Sequence, residues 1–226
     1  MAFIDTIPTD AAEGDVADMY ETDRAGWGFL PNLTRAYSHR PGVYAAWRGL
    51  NGAIKANMGE RRYEIATLAA ARRLRSSYCS LAHGRILARH MPASAVSDIA
   101  LGRPSDGLDD VDRAVIDLAD RVAADATTVT QADIDRLRGL GLSDTEILDV
   151  VLAAAARCFF SKVLDGLGVA PDREYRDISE VLSDGVPVFL GRLQRGVRQA
   201  AEAVALEYFR NSQELDLHAL ASIPAG

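Results

Sequence analysis

Two segments of this 226-residue chain are apolar on almost every side of a helix, and they restrict the fold more than any other feature. Residues 65–71 have the sequence IATLAAA, and residues 147–156 have the sequence ILDVVLAAAA. A helix that is hydrophobic all round is buried in the middle of a bundle. We therefore expect both segments at the centre of a helical bundle, where their alanines allow neighbouring helices to approach closely.

The rest of the chain has the same helical periodicity, and nowhere do several alternating runs of Val, Ile and Thr stand between hairpin turns. Helix starts are marked by Pro31, Pro41, Thr130 and the capping-box pair Ser143 and Glu146. The sequence thus predicts an all-α protein, with helices at residues 10–24, 32–39, 42–56, 60–75, 77–90, 92–100, 108–125, 131–139, 144–166 and 188–212.

Gly185-Val186-Pro187 interrupts the chain before the last predicted helix. We predict a compact bundle of short helices over residues 1–180 and a C-terminal helical extension over residues 181–226. The extension has an apolar seam at helical spacing, formed by Leu190, Leu193, Val197, Ala200 and Val204. We expect this seam to pack on the core or on a neighbouring subunit.

The charge balance excludes some classes of partner. The chain has 25 basic and 32 acidic side chains and a net charge of -7, which repels phosphate backbones and anionic membrane surfaces. It has neither a run of about 20 apolar residues for a spanning helix nor the start of a signal peptide. We expect a cytoplasmic protein that binds neither nucleic acid nor membranes, and whose two cysteines form no disulfide framework.

The stretch from residue 59 to residue 87 contains the residues most able to do chemistry. Glu64 stands at the start of an apolar helix, where an unpaired charge is costly and requires a partner. Ser76 or Ser77 can cap the next helix, which places Cys79 in its first turn and His83 one turn later on the same face.

This placement favours a nucleophilic thiol. Unpaired amides at a helix N-terminus favour the thiolate of Cys79, His83 can accept its proton, and Glu64 can orient His83 through its other ring nitrogen. The hydroxyls of Ser76 and Tyr78 are candidates for supporting groups. On spacing alone, however, a buried thiol beside a satisfied histidine is the more common arrangement.

Other candidate groups carry less weight. His90 lies about 16 Å along the same helix from Cys79, too far to share a metal ion with Cys79, His83 and Glu64, so we predict no metal site. We predict no cofactor, since phosphate-binding and flavin motifs are absent. Cys158 follows an apolar run and is expected to be a buried small hydrophobe. An aromatic group at Trp27, Phe29, Tyr44 and Trp47 fits the core better than a substrate pocket.

One pattern in this stretch has a known counterpart. Glu64 is followed after eleven residues by Ser76-Ser77-Tyr78-Cys79, and His83 comes after three more residues. This pattern resembles the motif E-x11-C-x-x-C-x3-H of the alkylhydroperoxidase D and carboxymuconolactone decarboxylase superfamily. Residues 26–47 and 129–155 are similar to segments of its peroxidase-related branch. The resemblance covers residues 3–175.

The resemblance implies a fold, an assembly and residue roles. It implies an alkylhydroperoxidase D-like bundle of short helices that forms trimers or hexamers, with the active site near a subunit interface. By position, Cys79 matches the thiol that attacks peroxide, and Glu64 and His83 match the relay residues. Ser76 stands where the resolving cysteine of the motif belongs.

The leading hypothesis is an oxidoreductase, a thiol-dependent peroxidase-like enzyme that reduces a small hydroperoxide through Cys79 with His83 and Glu64 as proton relay. Because Ser76 cannot form a disulfide, the reductant is expected to be an external thiol. One alternative is a lyase or isomerase in which His83 and Glu64 move protons on a small carboxylated substrate. Another is a non-catalytic binding or scaffold protein with the same fold.

Overall fold

The computed structural model describes residues 2–175, and within that range it contains helices and no strand. This confirms the all-α prediction. The helices are α1 (Asp15–Trp27), α2 (Asn32–Ala36), α3 (Pro41–Asn57), α4 (Glu60–Arg73), α5 (Ser77–Leu87), α6 (Ala93–Leu101), α7 (Asp110–Asp125), α8 (Gln131–Gly139) and α9 (Asp144–Gly166). Short 3-10 turns occur at Thr9–Ala11, Ala126–Thr128 and Arg173–Tyr175. The predicted boundary at residue 180, the extension over 181–226 and its helix at 188–212 lie outside the described residues.

Helix α4 is the centre of the bundle, packed against α5, α6, α7 and α9. All residues from 65 to 71 are fully buried, as their sequence predicts. Most are alanines, whose single methyl groups let the neighbouring helices come close. Glu64, which directly precedes this segment and is itself buried, is therefore fixed in the interior of the molecule.

Helix α9 is placed differently from its prediction. Val150, Ala153 and Ala154 are buried, but Leu148, Leu152 and Phe159 are 55%, 38% and 47% exposed. The expectation that this segment lies wholly inside the bundle is therefore wrong, because α9 packs on α3, α4 and α7 with one side only. The other side carries an apolar row that extends over about three helical turns. We call this row the α9 stripe and define it by Leu148, Leu152 and Phe159.

A tight turn reverses the chain between α4 and α5. The amide of Ser76 donates to the carbonyl of Ala71, the amide of Arg75 donates to that of Arg72, and Arg75 has a φ of 57°. This is the left-handed helix ending at which glycine is usual. It ends α4 two residues before the predicted position and places α5 beside the buried face of α4.

Helix starts follow the predicted signals at Pro41, Thr130 and Ser143, whereas α1 begins later than predicted. Thr130 and Ser143 each form a capping box at the start of α8 and α9. Helix α1 begins at Asp15 rather than residue 10, because Gly14 has a φ of 53° and separates it from the preceding 3-10 turn. No helix in residues 2–175 has the length and apolar content needed to cross a membrane.

Candidate functional site

A cavity of about 270 Å³ lies among α1, α3, α4, α5 and α9, with Leu33 of α2 at its edge. Four of the five candidate catalytic and supporting residues line it: Glu64, Tyr78, Cys79 and His83. Glu64 comes from α4 and the other three from α5, so the turn at Arg75 brings the two groups together. Within the described residues, this cavity is where the sequence-predicted chemistry converges.

Glu64 and His83 form a direct pair. The Nδ1 atom of His83 lies 2.6 Å from Oε2 of Glu64 and 3.2 Å from the hydroxyl oxygen of Thr67. An ionised carboxylate only accepts hydrogen bonds, so Nδ1 carries the proton and Nε2 is the basic nitrogen. The pairing expected from the sequence is therefore present, and Thr67 is an addition to it.

Burial decides the charge of this pair. Burial, reinforced by the nearby Arg157 guanidinium, lowers the pKa of His83, so the imidazole is neutral at neutral pH. Burial opposes ionisation of Glu64, but the His83 hydrogen bond and the Lys55 ammonium outweigh it and lower its pKa. The site therefore contains an ionised carboxylate next to a neutral base.

Lys55 connects this pair to the surface. Its Nζ atom lies 3.4 Å from Oε1 of Glu64 and 3.2 Å from Oε1 of Glu60. His90, whose Nε2 lies 2.8 Å from the other oxygen of Glu60, belongs to this surface pair and lies outside the cavity. No group of three His, Cys, Asp or Glu side chains in residues 2–175 is arranged to hold a metal ion.

Cys79 is buried in the first turn of α5, as predicted, and its hydrogen-bond partner comes from α9. Its sulfur accepts a hydrogen bond from Nη1 of Arg157 at 3.7 Å. Within residues 2–175 it has no hydrogen bond to His83, because the His83 ring is turned towards Glu64 and Thr67. The thiol and the imidazole therefore line one cavity without a hydrogen bond between them.

Arg157 is the residue that sequence analysis missed. It is 2% exposed, and its guanidinium lies 5.8 Å from the ring centre of Trp47 and 5.6 Å from that of Phe160. Burial opposes its charge, but interactions with Cys79 and Tyr63 outweigh this and raise its pKa. A lone arginine next to the apolar run at 147–156 was the available signal.

The neighbouring Cys158 has the less enclosed position. It is half-buried and does not line the cavity, so its prediction as a fully buried residue is wrong. Burial raises the pKa of its thiol. Arg157 faces the interior of the bundle. Cys158 is the next residue of α9, so it points in a direction about 100° further round the helix axis.

Neither of the two supporting hydroxyls makes a hydrogen bond to the sulfur of Cys79 in the described part of the chain. Ser76 is the N-cap residue of α5, but its hydroxyl makes no capping bond and is buried without a partner. The hydroxyl of Tyr78 donates to Asp172, and the amide of Leu33 lies 3.4 Å from the same oxygen. Tyr78 therefore contributes its ring to the cavity, while its hydroxyl ties α5 to the segment after α9.

Aromatic side chains form much of the cavity wall. Trp27, Tyr44 and Trp47 line it, whereas Phe29 packs against Tyr175 outside it. Trp47 stacks on Phe160 with ring centres 3.8 Å apart. Three of the four aromatic residues therefore line the cavity, and they give it flat, apolar walls.

The sequence matches no protein-family model and has no significant match among curated proteins. Solved structures do match. The alkylhydroperoxidase AhpD core of an uncharacterized peroxidase-related protein from Ralstonia eutropha JMP134 superposes with a TM-score of 0.68. It is 23% identical, and the match covers 77% of this chain and 94% of that one.

Two further structures show the same architecture. An uncharacterized peroxidase-related protein from Silicibacter sp. TM1040 is 18% identical with a TM-score of 0.64, over 76% of this chain and 90% of that one. A cysteine-to-alanine variant of the debrominase Bmp8 in complex with 2,3,4-tribromopyrrole is 18% identical with a TM-score of 0.64, over 78% and 96%. The fold implied by the sequence motif is confirmed: this chain has the all-α fold of the AhpD-like, peroxidase-related proteins.

Proposed function

We propose that this protein is a thiol-dependent peroxidase-like enzyme with Cys79 as its nucleophile. The observation that carries the proposal is the position of the Cys79 sulfur, which lines a small cavity together with the Arg157 guanidinium and the Glu64–His83 pair. A cation favours the thiolate, and a neutral imidazole can take up and return a proton. Small hydroperoxides fit a cavity of about 270 Å³.

In the proposed first step, the thiolate of Cys79 attacks the terminal oxygen of a hydroperoxide. An S–O bond forms and the O–O bond breaks, so the sulfur is oxidised to a sulfenic acid and the peroxide is reduced. The leaving alkoxide takes a proton and departs as an alcohol. The proton that the thiol gave up reaches the alkoxide through Nε2 of His83, and ionised Glu64 stabilises the imidazolium in between.

Reduction of the sulfenic acid then requires a thiol from outside the chain. Ser76 has no sulfur, and Cys158 does not line the cavity. One external thiol condenses with the sulfenic acid to give a mixed disulfide and water, and a second thiol releases Cys79 as a new disulfide forms. The cycle therefore consumes two small thiols for each hydroperoxide.

Intact-mass measurement tests this proposal. Treatment with one equivalent of hydroperoxide is expected to add one oxygen atom to the chain, and a small thiol is expected to remove it. The Cys79→Ser variant should gain no such oxygen, whereas Cys158→Ser should behave like the parent. Absence of any reversible oxidation at Cys79 would rule out the peroxidase cycle.

A second candidate is the reductive removal of a halogen from a small aromatic compound. The flat walls formed by Trp47, Tyr44 and Phe160 favour it, and a debrominase shares the fold. In this reaction the carbon–halogen bond is replaced by carbon–hydrogen, two thiols become a disulfide, and hydrogen halide leaves. Bromide release from a bromopyrrole in the presence of thiol, lost in Cys79→Ser, would support this candidate.

The proton-transfer alternative uses the same cavity without the sulfur. It is favoured by the 2.6 Å contact between Glu64 and His83, which exists independently of Cys79. A Cys79→Ser variant with undiminished activity on a small carboxylated substrate would establish it. A binding or scaffold role would be left if the parent protein neither oxidises reversibly at Cys79 nor turns over either class of substrate.

A further inference from the structure

Arg157 is a buried charge in need of an anion. The residue is 2% exposed, and within residues 2–175 no carboxylate lies within ion-pair distance of its guanidinium. Its Nε atom is buried without a hydrogen-bond partner. A charge removed from water and left unpaired is strongly unfavourable, so a residue in this position normally has an anionic partner.

The other cations of the cavity already have such partners. Nη1 of Arg48 lies 2.7 Å from Oδ1 of Asp23, and Lys55 lies between Glu60 and Glu64. For Arg157, the available group is the sulfur of Cys79, 3.7 Å from Nη1. Among the described residues, the Cys79 sulfur is therefore the hydrogen-bond acceptor for a guanidinium that no carboxylate contacts directly.

His83 is poorly placed for the same task. Its protonated nitrogen faces Glu64 and Thr67, and it has no hydrogen bond to Cys79. Burial and Arg157 together keep the imidazole neutral. A neutral ring supplies no positive charge to hold a thiolate, whereas a guanidinium is charged at every accessible pH.

We propose that Arg157 is a catalytic residue: its guanidinium is the counter-ion that holds Cys79 as a thiolate, which leaves His83 to transfer the proton to the leaving group. This inference deepens the proposed function and rests on it for the identity of the nucleophile. Atoms and charges still balance, because the proton that the thiol released on ionisation is taken up again through Nε2 of His83 and passed to the leaving alkoxide. What changes is the group that prepares the sulfur for attack.

Several other titratable groups are packed around the thiol and bear on its ionisation. They are His83, Glu64, Lys55, Tyr37, Tyr63 and Tyr175. Burial raises the pKa of Tyr37 and of Tyr175, so both phenols stay uncharged at neutral pH. The positive charge of Lys55 is engaged by Glu60 and Glu64. Arg157 is thus the cation directed at the sulfur among the described residues.

The rate of Cys79 alkylation by iodoacetamide, measured against pH in a Cys158→Ala background, tests the proposal without any peroxide. Arg157→Met preserves much of the side-chain volume and removes the charge. We expect alkylation at neutral pH to slow by at least about tenfold, the effect of moving the titration midpoint by one pH unit. At alkaline pH, the alkylation rate of Arg157→Met should approach that of the parent protein. Ultraviolet absorbance of the thiolate should show the same upward displacement of the midpoint.

Two variants complete the design. Arg62→Met removes a charge outside the cavity, where Arg62 pairs with Glu146, and should leave the alkylation profile unchanged. His83→Asn should change the rate at neutral pH by less than about twofold, because His83 does not hold the thiolate. This variant provides the test if Arg157→Met fails to fold.

Three results would overturn the proposal. These are an unchanged rate in Arg157→Met, an equal slowing at every pH in that variant, and a large displacement of the midpoint in His83→Asn. Failure of the peroxidase function is a separate outcome. It would appear as a parent protein that alkylates rapidly at Cys79 but gains no oxygen from hydroperoxide.

Discussion

The Glu64–His83 pair shows how burial sets the chemistry of single residues. Exposed, the imidazole would be partly protonated just below neutral pH, but in the interior it stays neutral while its carboxylate partner stays charged. The pair, the cysteine and their placement on two consecutive helices could be predicted from the sequence. Arg157 could not, because it meets Cys79 across 78 residues of sequence and no local pattern reports such a contact.

The neutral state of His83 makes stability depend on pH. Because its pKa in the folded protein lies below the ordinary 6.5, the unfolded chain binds the extra proton first. The stabilisation is complete above about pH 6.5 and is lost as pH falls, with a slope of up to about 1.4 kcal/mol per pH unit for one proton. Glu64 adds a further loss below its ordinary 4.5, since its pKa is also lowered.

Urea unfolding at several pH values checks this expectation. His83→Asn should flatten the dependence of the unfolding free energy on pH between neutrality and the titration range of Glu64. His39→Asn, at an exposed histidine, should leave the parent slope in place. An equal slope in parent and His83→Asn would show that His83 is not held neutral by the fold.

Ser76 offers a second test at the residue scale. It occupies the N-cap of α5 three residues before Cys79, and its buried hydroxyl has no partner to lose. Side chains at these two positions face each other in capping boxes and in C-x-x-C motifs. Ser76→Cys is therefore expected to form a reversible intramolecular disulfide with Cys79 on peroxide treatment, seen as a loss of two hydrogens and as protection from alkylation.

Ser80→Cys is the matched control, because Ser80 is also buried without a partner but is adjacent to Cys79, and consecutive helical residues do not face each other. It should form no disulfide. If Ser76→Cys stays fully open to alkylation after oxidation, residue 76 points away from the sulfur. Ser76 would then match the first cysteine of the two-cysteine motif in sequence position but not in spatial position.

At the scale of helices, most starts could be predicted because capping chemistry is local. Thr130 and Ser143 signal α8 and α9 within four residues of sequence. Ends are harder. The ending of α4 is a left-handed residue that is usually glycine, and here it is Arg75, so the sequence contains no stop signal there. The open side of α9 was also beyond prediction, since composition does not show which face a neighbouring helix covers.

The two N-cap serines should respond differently to removal of the hydroxyl. The Ser143 hydroxyl accepts from the amide of Glu146 and donates to its carboxylate, whereas the Ser76 hydroxyl makes no bond. Ser143→Ala should lower the unfolding free energy by about 1 kcal/mol. Ser76→Ala should leave it unchanged or raise it slightly, because an unsatisfied buried group is removed. Chemical denaturation of both variants tests this, and equal losses would contradict it.

At the scale of the whole molecule, the α9 stripe bears on assembly. Leu148, Leu152 and Phe159 form an exposed apolar row on one helix, and such rows mark interaction surfaces more often than scattered single residues do. We expect a second copy of the chain to cover the row in a closed homo-oligomer, a trimer or hexamer.

Light scattering measures this directly. The parent should have a mass that is a multiple of 24.4 kDa, and Leu152→Lys should shift it towards that of one chain. Leu50→Lys, at an exposed leucine on α3, is the control and should keep the parent mass. A single-chain mass for the parent would contradict the assembly.

The alanine packing of α4 limits which amino-acid substitutions the chain can accept during evolution. Residues 65–71 are fully buried, so a larger side chain there would push apart helices that also carry Glu64, Cys79 and His83. At Ala66, Ala69, Ala70 and Ala71, exchange is restricted to residues as small as alanine or glycine. Sequences that diverge from this one while keeping its chemistry should therefore vary least in a segment that never touches the substrate.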